Sequence, residues 1–227
     1  MLRRGTAGRR FWVAVAVAVV GVMGYAAYAL AADTITATDD FYSAPTYTMN
    51  QGERPTFANG GVNQHNVTAQ QNGPDKRVLF STPTLNGGQT ASVDGTQYLT
   101  AGTYTFFCTI HPTTMQATLV VTSSGTPQAR PSATLTSKTK TISKALKKGI
   151  VVSANASTAI SGVAFTAKLG KATIGKTTRS LAAGPQNVTV KLTKAGKSKL
   201  RGKSKASVTI TADIPFGSPA TAKSKLK

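Results

Sequence analysis

The sequence predicts an all-β chain of two successive sandwiches, and three observations lead there. Val and Thr recur in short alternating runs, Gly is plentiful and aromatics are scarce at 7%, a mixture that favours short strands and turns over long helices. The 227 residues are enough for two modest domains. Charge divides the chain in the same way. Residues 1–32 hold four Arg and no acid, residues 33–122 carry three cations against six acids for −3, and residues 123–227 carry twenty Lys or Arg against Asp213 alone for +19. Such asymmetry between halves points to two domains with different partners.

The predicted organisation is a leader over 1–31, a first domain over 33–122, a linker over 123–134 and a basic domain over 135–227. Met1 to Arg10 is basic, Phe11 to Leu30 is apolar without a charge, and Ala29-Leu30-Ala31 supplies the small-x-small pattern of a cleavage site. This is a secretory signal or, since about 20 apolar residues can span a bilayer, a retained N-terminal anchor. Either way the expected location is outside the cytoplasm, extracellular or associated with the cell envelope.

From Asp33 the period turns to two. Strands are expected at Thr34–Thr38, Thr46–Met49, Arg54–Ala58, Asn66–Ala69, Thr90–Val93, Gly102–Cys108 and Ala117–Thr122, separated by Gly, Asn and Pro. Ser123-Ser-Gly-Thr-Pro-Gln-Ala-Arg-Pro reads as linker. Strands resume at Gly149–Ala154, Val163–Leu169, Asn187–Leu192 and Ala206–Thr211, with a short helix expected in the Lys-rich stretch from Thr193 to Lys205. This second unit has no Cys or His and one acid, so it holds no material for metal or acid–base chemistry.

The chemistry lies elsewhere. The single cysteine excludes an intramolecular disulfide, and in an exported protein it calls for another reason: a free thiol, a partner's thiol or a metal. Beyond the leader, both histidines, the cysteine and one of two methionines share one spacing: His65, then Cys108-Thr-Ile-His111-Pro-Thr-Thr-Met115. Taken singly, each has an ordinary structural role, as a hydrogen-bonded His, a small core Cys or a packing Met. Together, two imidazoles, a thiolate and a weak thioether make the His2Cys set with axial Met that holds copper for electron transfer. Zinc is the competing metal, although its sites seldom use Met. In the run from Gly102 to Cys108, Tyr104, Phe106 and Cys108 share one strand face, which puts the thiol at the rim of a core.

Residues 33–122 resemble a cupredoxin of the plastocyanin/amicyanin kind, through Gly-Val-Asn-Gln-His65-Asn66-Val and the closing Leu-Thr-Ala-Gly-Thr-Tyr-Thr-Phe-Phe-Cys108-Thr-Ile-His111-Pro112 run that leads to Met115. The resemblance implies a Greek-key β-sandwich with one type 1 copper ion beneath one end, bound by His65, Cys108, His111 and Met115. It also implies that Asn66 ties the two ligand loops together, that His111 is the solvent-reaching ligand within an apolar patch, and that Pro112, lacking an N–H, leaves the thiolate one hydrogen bond fewer. The three residues between His111 and Met115 fall between the two of amicyanin-like and the four of plastocyanin-like loops. Phe107 stands where plastocyanins often show a docking tyrosine, so a plant-type partner is not implied. The second unit resembles Lys-rich β-sandwich repeats appended to bacterial secreted proteins, and is expected to be a smaller, Ig-like sandwich.

The expected function is therefore exported one-electron transfer to an unidentified redox protein, and not an enzyme, because two histidines cannot furnish the further copper centres that an oxidase needs. The competing function is copper sequestration without a redox partner. For the basic unit the expected partner is an anionic envelope polymer or lipid surface. Nucleic acid is disfavoured, because no row of aromatics offers stacking.

Overall fold

The computed structural model describes residues 33–227, so the expected leader or anchor over 1–31 lies outside the described residues. The first unit holds eight strands: β1 (Ile35–Thr38), β2 (Phe41–Tyr42), β3 (Thr46–Gln51), β4 (Thr56–Asn59), β5 (Thr68–Ala69), β6 (Thr90–Ser92), β7 (Gly102–Phe107) and β8 (Gln116–Gly125). They form two four-stranded sheets in the orders β2-β1-β4-β6 and β3-β8-β7-β5. The pairs β1–β4 and β3–β8 run parallel and the rest antiparallel. Period-two patterning aims one side of each strand inward: Tyr47 and Met49 from β3, and Ala117, Leu119 and Val121 from β8, are all buried. Phe57, Phe80 and Phe106 are fully buried between the sheets, and each such side chain stabilises the fold by about 1.5–3 kcal/mol. Tyr42 meets Phe106 edge-on at 4.9 Å.

The second unit is built from β9 (Ala133–Ser137), helix α1 (Ile142–Lys148), β10 (Ile150–Ala156), β11 (Ile160–Leu169), β12 (Ala172–Leu181), β13 (Gly184–Val190), helix α2 (Lys194–Leu200), β14 (Ala206–Asp213) and β15 (Ala220–Leu226). Its sheets run β13-β10-β9 and β12-β11-β14-β15, closed over Val152, Phe165, Ile174, Val188, Val208 and Ile210. The Lys-rich stretch after Thr193 does form a helix, α2. Helix α1 was not expected. Thr141 caps it, its hydroxyl accepting from Lys144 N at 3.2 Å, and Gly149 ends it at φ 84°, a conformation that favours glycine.

Two boundaries differ from expectation. Strand β8 continues to Gly125, where it pairs with Gln51, and β9 begins at Ala133, paired with Ala156. The expected linker over 123–134 therefore shrinks to residues 126–132, because both ends of that polar stretch find ladder partners. The second unit, strands spanning 133–226, is also no smaller than the first, spanning 35–125.

The two units are clasped. Asp75, only 8% exposed, accepts from Arg77 N at 3.1 Å with one carboxylate oxygen and from Phe216 N at 2.8 Å with the other. Arg77 pairs with Asp213. The Phe216 ring lies 5.8 Å from that of Tyr98, and the Arg130 guanidinium sits 5.6 Å above Tyr98 while donating to the Phe216 carbonyl at 3.0 Å. Phe216 holds φ at 61°, an uncommon conformation for a bulky residue. Gln128 N donates to Gln97 O at 2.8 Å and its side chain to Gly52 O at 3.3 Å. These contacts lie at the end of the first sandwich where β7 begins, since Gly102 pairs with Val121 and Gln51 with Gly125. Cys108 lies beyond the opposite end of β7. Among the described residues no helix is long and apolar enough to cross a membrane.

Candidate metal centre

Strand β7 delivers the thiol. Its alternation buries Phe106 and Cys108 completely, and the chain then turns back so that Met115 N donates to His111 O at 2.9 Å and Cys108 N donates to Met115 O at 3.0 Å. This turn fixes His111 and Met115 relative to Cys108. Met115 is fully buried in the same apolar cluster as Cys108. Pro112 is exposed in the turn, its carbonyl accepting from Gln116 Nε2 at 2.8 Å.

His65 arrives from a different loop and is locked by two bonds with Leu85, N to O at 3.0 Å and O from N at 2.8 Å. The loop before it is pinned by buried Asn59, whose amide donates to the carbonyls of Asn63 (2.8 Å) and Leu85 (3.0 Å) and whose oxygen accepts from Gly61 N at 3.1 Å. Close backbone packing makes this possible. A Cβ at Gly61 would lie 2.5 Å from Asp39 N, and one at Gly87 would lie 2.4 Å from the Gly61 carbonyl oxygen, so any side chain at either position would push the loops apart.

Asn66 joins the two loops. Its oxygen accepts from Thr109 N at 3.0 Å, and its amide donates to the hydroxyls of Thr109 (2.7 Å) and Thr84 (3.1 Å). Its own carbonyl accepts from Tyr42 Oη at 2.7 Å. Burial, and then the neighbouring Cys108, push the Tyr42 hydroxyl's pKa well above its usual range, so Tyr42 serves as a fixed neutral donor.

One donor atom from each of His65, Cys108 and His111 lies within 4.8 Å of the others. Cys108 Sγ is 3.9 Å from His65 Nδ1. A thiolate and an imidazole bound about 120° apart on one ion, with bonds of about 2.3 and 2.0 Å as on zinc, would stand about 3.7 Å apart. His111 Nδ1 is buried with no hydrogen-bond partner, and an orphaned buried imidazole nitrogen calls for a ligand. In His65 it is Nδ1 that faces the thiol, while its Nε2 is buried without a partner. The donor set and its spacing fit a metal ion.

The two imidazoles are unequal. His65 is fully buried, whereas His111 is 25% exposed and its Nε2 lies 3.4 Å from an Asp40 carboxylate oxygen. Burial, and then the proximity of His111, lower the His65 pKa, with the Asp40 and Asp39 groups opposing. Phe41 and Ile110, at 54% and 43% exposure, adjoin in sequence the two residues facing each other here, and Val62 is exposed on the loop before His65. Exposed apolar side chains thus adjoin, in sequence, both members of the Asp40–His111 pair.

Residues 32–122 match the model of the copper binding proteins of the plastocyanin/azurin family. The first unit is a cupredoxin domain. Solved structures similar to the chain include a reduced amicyanin with a tryptophan-to-tyrosine substitution, at 28% identity, covering 40% of this chain and 81% of that one with a TM-score of 0.34. Another is amicyanin from Paracoccus versutus, at 27% identity, covering 40% and 80% with a TM-score of 0.33. No curated protein matches the chain. The cofactor of the cupredoxin domain is copper.

Asp40, Tyr42, Thr84 and Thr109 were not singled out from the sequence. Thr109 had a usable signal, its place directly after Cys108. The other three belong to segments that are near the site only once the sandwich closes.

Proposed function

We propose that the cupredoxin domain is an exported carrier of single electrons whose copper would be held by His65, Cys108 and His111, with the Met115 thioether as a further, weak donor. The observation that carries this is the preset donor set: a buried thiol beside two imidazoles, one of them with its inner nitrogen orphaned and its outer edge at the surface. Copper supplies the one-electron couple. The thiolate and thioether favour Cu(I), while the imidazoles tolerate both oxidation states. Asn66, Asn59 and the Cys108–Met115 turn hold the donors in one geometry, which keeps reorganisation small as the electron moves. Phe41 and Ile110, exposed next in sequence to Asp40 and His111, supply apolar surface suited to docking of a redox protein. Both histidines are used in one site, which favours a carrier over an oxidase. The basic-then-apolar run from Met1 to Leu30 and the Ala29-Leu30-Ala31 site support export.

The test is a visible spectrum of the purified protein with Cu(II). An intense blue band from thiolate-to-copper charge transfer is expected, and Cys108→Ser abolishes it while far-UV circular dichroism is kept. Met115→Gln keeps copper and lowers the potential, because the harder oxygen favours Cu(II). A colourless wild-type complex, or a serine variant that stays blue, overturns the assignment.

A further inference from the structure

The second unit, residues 133–227, carries +18 of formal charge, and its only acid, Asp213, is turned toward Arg77 of the cupredoxin domain. No carboxylate within the unit is left to offset its lysines. Part of this charge is gathered in one place. Strands β12 and β13 follow each other through residues 182–183 yet belong to different sheets, each at an edge. They are joined again at the other end, where Gly175 bridges to Leu192 and Lys176 N donates to Lys191 O at 3.2 Å. Held together at both ends, the strands part between, and a groove of about 540 Å³ opens there. Lys176 and Arg179 line one wall, Asn187, Thr189 and Lys191 the other, with Thr177 beside them. All but Thr177 are well exposed.

We propose that this groove binds a linear, hydroxylated polyanion, a sugar or polyol chain carrying regularly spaced phosphodiester or carboxylate groups. The two lysines and Arg179 meet the anionic groups by charge-assisted hydrogen bonds. Asn187 and Thr189, which a bare polyphosphate would leave idle, meet hydroxyls; the Thr177 hydroxyl is already taken up by Lys176 O and Lys191 N. A groove suits a chain better than a flat bilayer. The exposed large apolar residues, Phe41, Val62 and Ile110, all belong to the first unit, so the second presents none for insertion into lipid. Its two phenylalanines are withdrawn as well, Phe165 into the core and Phe216 onto Tyr98, which removes any platform for stacked bases. Placing this polymer in the cell envelope rests on the export proposed above; the chemistry of the groove does not, and neither depends on copper.

The competing role for these cations is to guard two sheet edges against pairing with other chains. The experiment separates the two. Full-length protein is titrated with polygalacturonate, poly(glycerol phosphate) and phosphatidylglycerol vesicles over a range of salt. A Lys176→Gln/Arg179→Gln/Lys191→Gln variant is compared with Lys144→Gln/Lys147→Gln/Lys203→Gln, which removes the same charge away from the groove. Binding to a polymer that weakens with salt is expected, reduced about tenfold or more by the groove substitutions and less than about threefold by the others. The tighter of the two polymers identifies the anionic group. Equal losses from both variants, vesicle binding tighter than polymer binding, no binding at all, or a groove variant that aggregates with its polymer affinity intact would each overturn the proposal. Binding by a protein that proves to be retained in the cytoplasm would overturn the export reading and leave the groove standing.

Discussion

The two sandwiches match in extent and differ in what they bury. The cupredoxin domain encloses Asn59, His65, Asn66, Asp75, Thr96 and Gln97, whereas the basic unit encloses only the hydroxyls of Ser137, Thr139 and Ser224. Each buried amide or imidazole costs free energy unless its bonds are met. In the first domain they are met, by loop carbonyls and threonine hydroxyls, except at the two imidazole nitrogens that lack partners. The second domain invests in apolar packing inside and leaves its chemistry outside, as charge on strand edges. One domain builds its site by organising polar groups in its interior; the site proposed for the other comes from parting two edge strands.

The sharpest way to break this comparison is to damage the apolar core of the second domain. Phe165 is 1% exposed at its centre, and Phe165→Ala is expected to destabilise that domain by about 3–5 kcal/mol. Thermal unfolding should then resolve two transitions, the first of them new, while the blue band of the copper form is unchanged below it. Loss of the band together with that first transition would show that the two interiors depend on each other.

A smaller effect is expected from the polar interior of the first domain. Asn66→Ala leaves Thr109 N, the Thr84 hydroxyl and the Thr109 hydroxyl without their common partner, at about 1–3 kcal/mol. Unlike the phenylalanine change, it should also loosen the site, seen as faster copper loss to a chelator. Unchanged copper release would reduce Asn66 to a packing residue.

The smallest is a pH effect on the copper-free protein. The His65 pKa is lowered on folding, so the folded state favours the neutral imidazole and the unfolded chain binds the extra proton. That contribution is whole above about pH 6.5, the ordinary histidine value, and is lost as pH falls below it, at no more than about 1.4 kcal/mol per pH unit. Chemical denaturation of wild type and His65→Gln between pH 7.5 and 5.5 should show the steeper loss in wild type. Parallel curves would mean that the buried imidazole is proton-accessible without opening the fold.

The parts legible in the sequence were those written in consecutive residues. Cys108, His111 and Met115 share one turn, so their spacing is their geometry. The alternation of Gly102–Cys108 placed the thiol on a buried face before any fold was known. His65 was legible only because the chain has just two histidines. Asp40 and Tyr42 reach the site from the two-residue strand β2 and the turn before it, and nothing local marks so short an element. Strands β9, β12 and β15 escaped notice for another reason: their outward faces are Thr, Lys and Arg, and their inward ones mostly small residues, so period-two contrast is faint. Helix α1 had its signals, Thr141 before it and Gly149 after, but its seven residues between strand runs gave little room for a helical period to show.

The clasp at Asp75 and Phe216 has a consequence for traffic. A carrier on a loose tether sweeps a volume and can visit a donor and an acceptor that stand apart. Here the short connection, the buried carboxylate and the stacked ring fix one domain on the other, with the copper end pointing away from the join. The exposed imidazole can therefore travel only when the whole molecule does. On the proposed electron-transfer reading, exchange partners would have to come to it by diffusion, and the rate of electron flow through an immobilised molecule would be set by their arrival, not by any swing of its own.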